Sequence, residues 1–428
     1  MSTLLDQILQ ERGFTASGAL GVCKSHKASC TCHVCNEKKL QSPGTHKNWK
    51  QRRNKRLNVK TNPGSGVPVR RSNTELENEW EAGSGAAGAQ VILVAGHNWE
   101  SPSHKFITYC FNRCKRLLKK DKNLRFTVFD FSSGKVITGK LVGTKLDWIL
   151  LKQYAAITPS HYSKTGKHYV FKGDPDVMSV LDVYKYIINI GATEPGSVAE
   201  LSFFGHGWMG GPILVNSYDS FTKENDRPER DPADKDPRTF KDFEIANMPD
   251  ADLDNFRKAF AAESFTWVWG CAFASSFFQV LHRVLKNQVY KSMYPKAIPD
   301  ATQFSFSFEP GHASSFFQND DTFFPTMDAT GKFPLQFKRT FLEIKEFLTR
   351  GKWRSYANAL AVAAAVPCRS AFLGTYADYE KGVLLPLMLI PRKIPPYSDN
   401  FSAYVNFYKT YMKMNEDPES RGYGVFLP

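Results

Sequence analysis

The chain has 428 residues, 42% of them apolar and 14% aromatic, and a net charge of +14. That composition can bury one large α/β core or two smaller ones, and it excludes a wholly disordered or collagen-like chain. No run of about eighteen apolar residues occurs and Met1–Arg12 lacks the apolar centre of a signal peptide, so the expectation is a soluble, cytoplasmic protein without a transmembrane segment.

The charge is unevenly spread. Residues 1–72 hold 14 Lys/Arg against 3 Asp/Glu, which leaves the remainder only weakly basic. Lys47–Lys60 could contact nucleic acid, an anionic surface or an acidic partner, and a solvated arm is the plain alternative. Leu4–Arg12 has the spacing of a short amphipathic helix. Cys23 with His26, and Cys32 with Cys35, are ligand pairs separated by two residues that could hold one structural zinc, although the gap between the pairs is short for a usual finger. Unstructured thiols are the other reading. Ala82–Ala89 is a Gly/Ala linker, so residues 1–89 read as a flexible tail and 90–428 as the folded domain.

Within that domain Gln90–Ala95 reads as a buried strand and Ser103–Lys120 as a helix whose inner face carries Phe106, Cys110, Cys114 and Leu117, which makes both cysteines core residues. Arg125–Phe131 and Lys135–Val142 read as a strand and its hairpin partner, Asp176–Ile190 as a helix and Val198–Phe204 as a strand. Asn216–Glu263 is rich in Asp, Pro and Lys and reads as a surface excursion with a helix near Leu253–Ala262. Its charge argues against burial, so it is a possible gate over the site. Ala274–Leu285 reads as a helix, Thr302–Phe308 as a strand, and Leu335–Leu348 and Trp353–Val366 as helices. Val383–Ile390 reads as a last strand, placed at an edge by Pro386.

Two of these stretches end alike. Val198–Gly207 is an apolar run that stops at Gly205 and delivers His206, and Phe265–Phe273 stops at Gly270 and delivers Cys271. In a parallel sheet, reactive groups collect beyond the carboxyl ends of the strands. Free thiol has a pKa near 8.5, and a neighbouring imidazole, like a helix N-terminus just after the cysteine, raises the thiolate fraction. The pairing points to a Cys–His dyad. Either residue alone would be read as an ordinary core cysteine or turn histidine.

The strand-His206-Gly207 and strand-Gly270-Cys271 order, about 65 residues apart, resembles the cysteine peptidase clan of caspases, haemoglobinases, gingipains, separase and bacterial toxin self-cleaving domains. Phe204–Gly207 and Trp269–Cys271 are most similar to the toxin pattern, and Val91–Trp99 is similar to the first haemoglobinase strand. The resemblance covers about Gln90 to Leu285. It implies a caspase-like three-layer α/β/α sandwich with a mostly parallel sheet, and a cysteine endopeptidase working through a thioester. Cys271 would be the nucleophile, His206 the proton carrier and Asn98 its orienter, with the backbone N–H groups of Gly207 and Cys271 holding the oxyanion and no cofactor required. The implied partner is a protein or peptide substrate, with an activating ligand. The departures are two. No arginine stands where caspases and haemoglobinases place one, only His104 and Lys105, so an acidic preference does not carry over. No lysine or arginine matches the inositol-phosphate site of the toxins.

Two rival readings stand beside this one. A cysteine α/β-hydrolase would take its base after the nucleophile, from His282 or His312, but its elbow needs small residues where Trp269 and Phe273 stand. A caspase-like fold could also serve as a non-catalytic binding module.

Overall fold

The computed structural model describes residues 89–99, 105–165, 168–217, 229–231, 233–239, 241–308, 323–325, 334–391 and 400–428. The tail, with Cys23, His26, Cys32, Cys35 and Lys47–Lys60, lies outside the described residues, as do His104 and His312.

In chain order the first part comprises β1 (Gln90–Ala95), α1 (Phe106–Leu118), β2 (Arg125–Asp130), β3 (Lys135–Val142), β4 (Lys145–Gln153), β5 (Tyr162–Thr165), β6 (His168–Phe171), α2 (Val180–Thr193) and β7 (Val198–Phe204). A short hairpin of β8 (His206–Trp208) and β9 (Gly211–Ile213) precedes α3 (Asp250–Lys258) and β10 (Phe260–Val268). Then follow α4 (Ser275–Lys286), α5 (Gln288–Met293), β11 (Gln303–Ser307), β12 (Gln336–Thr340), α6 (Phe341–Arg354) and α7 (Tyr356–Ala364). The chain closes with β13 (Cys368–Ser370), β14 (Asp378–Tyr379), β15 (Met388–Leu389), α8 (Asn400–Tyr411) and β16 (Gly424–Phe426).

The architecture is mixed α/β. Eight strands form one sheet in the order β16-β13-β10-β7-β1-β2-β3-β4, and β13, β10, β7, β1 and β2 are mutually parallel. The antiparallel strands β16 and β3 flank that parallel block, and β4 pairs with β3 beyond it. All six residues of β1 are buried, which is why its sequence QVILVA lacks alternation.

Helices cover both faces, and β7 shows how. Successive side chains of a strand point to opposite faces. Glu200 meets Arg113 of α1 (Nη2 to Oε2, 2.8 Å), while Phe203 meets Tyr356 of α7 edge-on at 6.2 Å. Tyr356 in turn shares a 2.7 Å hydroxyl hydrogen bond with Tyr184 of α2. So α1 covers one face, and α2 and α7 the other.

The face under α1 carries a buried polar chain. Trp269 Nε1 donates to Ser202 Oγ (3.1 Å), Ser202 donates to Glu200 Oε1 (2.5 Å), and Arg113 binds both Glu200 and Glu419 (2.6 Å to the latter). The Arg113 guanidinium also lies 5.5 Å from the ring centres of Trp267 and Trp269. Two tryptophans, two carboxylates and the Arg113 cation thus share one layer, with Arg113 paired to both carboxylates.

The structure corrects several sequence expectations. Residues 230–242, read as part of an exposed excursion, are largely buried: Arg230, Asp234, Lys235, Asp236, Arg238 and Asp242 are each at most 7% exposed. Burial is tolerated because the charges neutralise one another. Arg230 pairs with Asp242, Arg238 with Asp234 (2.6 Å), and Asp236 accepts the backbone N–H groups of Leu214 (2.5 Å) and Val215 (2.8 Å). Val383–Ile390 is no sheet strand; only Met388–Leu389 pairs, with β14, and Leu384 is 90% exposed. The sheet ends instead with Cys368–Ser370 and Gly424–Phe426, each too short to leave a periodic signal.

Several helix boundaries also move. The helix expected near Leu253–Ala262 is Asp250–Lys258, since the next strand already begins at Phe260. The helix expected at Asp176 begins at Val180, capped by Ser179 and Asp182. The one expected at Leu335 begins at Phe341, because Thr340 and Glu343 form a capping box and the residues before it pair as β12. In place of a helix from Trp353, α6 runs to Arg354 and α7 starts after Ser355, whose side chain accepts from Asn358 N. Cys110 and Cys114 are fully buried in α1.

Arg113→Ala is expected to destabilise the fold by about 3–5 kcal/mol in urea denaturation, because Glu200 would be left buried without its cation. A loss under about 1 kcal/mol would show that the polar layer is not a support.

Candidate functional site

Four adjacent parallel strands each deliver something to one end of the sheet. Asn98 follows β1, His206 follows β7, Cys271 follows β10, and the Ala371–Ala377 segment follows β13. The register aligns these exits: Ala95 pairs with Phe204, and Val268 with both Phe203 and Ser370. His206 and Cys271 each stand three residues past a paired position, Phe203 and Val268. From β1 the chain goes to β2 on one side, and β7 flanks it on the other, so Asn98 and His206 emerge at the switch point of the sheet, where α/β proteins bind ligands.

Glycine allows the two reactive segments to touch. A Cβ on Gly207 would lie 2.7 Å from Cys271 O and 3.2 Å from Cys271 N, and one on Gly270 would lie 2.8 Å from Gly205 O and 3.1 Å from Gly207 N. Neither position has room for a side chain, so backbone packs on backbone beside Cys271. Beyond that contact Trp208 and Phe273 form a parallel bridge, which continues the alignment past the strand ends.

The imidazole of His206 is held from three directions. Its Nε2 donates to Asn98 Oδ1 at 3.1 Å, which leaves the lone pair of the neutral ring on Nδ1. Phe106 meets the ring edge-on at 5.3 Å and Trp99 lies tilted at 4.9 Å. Asn98 is itself buried, and its neighbour His97 is fixed by its backbone N–H to Leu214 O (2.6 Å) and by Nδ1 to Ser132 Oγ (3.0 Å). Leu214 is the residue whose N–H Asp236 accepts, so the buried charge knot braces the strand exit that carries Asn98.

Cys271 is half-buried, and the Ala377 N–H points at its sulfur (3.3 Å). Ala272 and Thr375 are joined by a 3.2 Å backbone hydrogen bond, and Phe273 stacks on Tyr376 at 4.7 Å. Helix α4 starts at Ser275, so Ala272–Ala274 separate the thiol from the first helical turn. The tight elbow of an α/β-hydrolase is not formed: Cys271 is not among the residues with positive φ, and Trp269 is packed between Phe204 and Trp267. His282, a base that reading could use, stands about 10 Å along α4, stacked on Phe278 and lowered to about 4 by burial and then by Lys286 and Arg283.

Sequence reasoning missed the Ala377 segment and the aromatic walls. Phe106 was legible only as a core residue, and nothing in the run around Ala377 marks it as a neighbour of the thiol. Among the described residues no group of three or more His, Cys, Asp or Glu could hold a metal, and no helix is long and apolar enough to cross a membrane. No family model, no curated protein and no solved structure matches this chain.

Two outcomes follow from this geometry. Gly207→Ala should slow alkylation of Cys271 by at least about tenfold, since backbone must shift to admit the methyl; an unchanged rate would show that the contact is not tight. The second concerns pH. Burial, then His206 and His161, lower His97 from 6.5 to about 4. The unfolded chain therefore takes a proton that the folded chain refuses, and stability falls as pH drops from 6.5 towards 4. The fall in Tm between pH 7 and 5 should be smaller in His97→Gln than in the unmodified chain. Asp417, raised by burial to about 6, acts in the opposite sense in both proteins and cancels from the comparison. Equal falls would place the acid sensitivity elsewhere.

Proposed function

We propose that the chain is a caspase-like cysteine endopeptidase, with Cys271 as nucleophile and His206 as its proton carrier. The observation that carries this reading is the meeting of the Gly207 and Cys271 backbones at the end of two parallel strands, with His206 hydrogen-bonded to Asn98 beside them. A mostly parallel sheet with helices on both faces supports the caspase-like assignment.

In this mechanism the Cys271 sulfur attacks the peptide carbonyl carbon and the thiol proton passes to His206 Nδ1. The carbonyl oxygen becomes an oxyanion beside the Gly207 and Cys271 N–H groups. Collapse breaks the C–N bond, His206 returns its proton to the leaving amine, and a thioester remains on Cys271. Water then attacks the thioester, giving its proton to His206 and releasing the acid and the thiol. Asn98 keeps Nε2 protonated so that Nδ1 faces the reaction.

Cys271→Ala and His206→Ala are each expected to lower peptide hydrolysis by at least about 1,000-fold, and the double variant should be no worse than the weaker single one, because the two residues act as a unit. Asn98→Ala should cost about 10- to 100-fold, the loss from a misplaced rather than a missing base. The assay is turnover of a mixed peptide library by the full chain. Near-normal turnover by either single variant would refute the dyad.

A further inference from the structure

The segment after β13 runs against the nucleophile and then turns away as β14. Gly374 N–H donates to Ala272 O (3.0 Å), Ala272 N–H to Thr375 O (3.2 Å), and Ala377 N–H approaches the Cys271 sulfur (3.3 Å). Asp378 is the next residue. It opens a two-stranded sheet in which β14 pairs with β15 along one edge, Asp378 opposite Leu389 and Tyr379 opposite Met388. Among the described residues no strand pairs with the other edge of β14.

An aromatic wall joins this strand to the histidine side of the site. The Tyr379 ring stacks on Tyr109 of α1 at 5.2 Å, Tyr109 contacts Phe106 at 6.4 Å, and Phe106 contacts His206 at 5.3 Å. The Asp378 carboxylate stands where that wall meets the segment lying on Cys271. Its field is felt in the wall: the Tyr109 phenol is raised to about 12, by burial first and then by Asp378.

The carboxylate is half-buried, its hydrogen bond is to the N–H of Tyr379 (2.7 Å), and among the described residues no cation pairs with it. Glu380, two positions on, is the contrast: it is engaged by Arg116 (2.8 Å) and Arg421 (3.0 Å), and its Oε2 accepts the N–H of Leu387 (2.9 Å). A half-buried carboxylate without a cation, beside a reactive thiol, attracts a cation from outside. The open edge of β14 can take an extended peptide backbone by strand addition.

We propose that Asp378 selects substrates with lysine or arginine on the acyl side of the scissile bond. The inference rests on the Cys271–His206 reading, and it adds the substrate class.

The test uses the full chain and four peptidyl acyloxymethyl ketones that differ only in the residue next to the electrophile: Arg, Lys, Leu or Asp. The rate at which each labels Cys271 is followed by intact mass. The Arg and Lys probes should react about 10- to 100-fold faster than the Leu probe, the worth of one charged hydrogen bond in a half-buried site. Asp378→Asn should cut the Arg-to-Leu rate ratio at least tenfold, Asp378→Glu should keep most of it, and Asp378→Lys should favour the Asp probe, with Tm confirming that each variant is folded. If the Leu or Asp probe is fastest on the unmodified chain, or if Asp378→Asn leaves the ratio unchanged, the assignment of Asp378 is wrong while the cysteine peptidase reading stands. If no probe labels native Cys271 faster than it labels the urea-unfolded chain, both are overturned.

Discussion

Two glycine-bearing turns touch at the end of the sheet, and the site depends on that contact. Gly205–Gly207 and Gly270–Cys271 lie so close that a methyl group on either Gly207 or Gly270 would overlap the facing backbone. The sheet sets this distance. Parallel neighbours run about 4.8 Å apart, and two chains leaving neighbouring strands at the same level remain that close only where no side chains stand between them.

Holding such a contact needs stiff supports, and here they are polar as well as apolar. On one face, Arg113, Glu200, Ser202 and Trp269 tie α1 to β7 and β10 just below the turns. On the other side of the site Asp236 fixes Leu214 and Val215, and Leu214 fixes the backbone of His97 next to Asn98. Buried charges contribute little net stability when paired and cost heavily when one partner is lost. Their value is directional: each carboxylate satisfies named N–H groups, and a shift of the loop would break several of these bonds at once.

The wall of Trp99, Phe106, Tyr109 and Tyr379 does a different job. Two of these rings, Trp99 and Phe106, pack directly on the imidazole of His206. The wall also joins the histidine to the strand that begins at Asp378, so His206 and β14 share one aromatic border.

Much of this was legible in the residues. Apolar runs with no alternation marked Gln90–Ala95 and Val198–Phe204 as buried strands, and the observed strands have those bounds. Gly205 before His206 and Gly270 before Cys271 identified which strand ends to compare, because local sequence determines where a strand stops and which side chain comes next. Other features were decided only in three dimensions. The run at 230–242 is as polar as a solvated loop, and its charged residues are buried because Asp242 and Asp234 meet Arg230 and Arg238 of the same run while Asp236 meets the N–H groups of Leu214 and Val215, more than twenty positions away. Strands Cys368–Ser370 and Gly424–Phe426 are three residues long and exist because a neighbouring strand supplies their hydrogen bonds. Ala377 reaches Cys271 from more than a hundred positions away, through the pairing of β13 with β10. Periodicity and turn residues act over a few positions and are written in the sequence. Charge pairing and strand adjacency act across the fold, and the tertiary structure alone determines them.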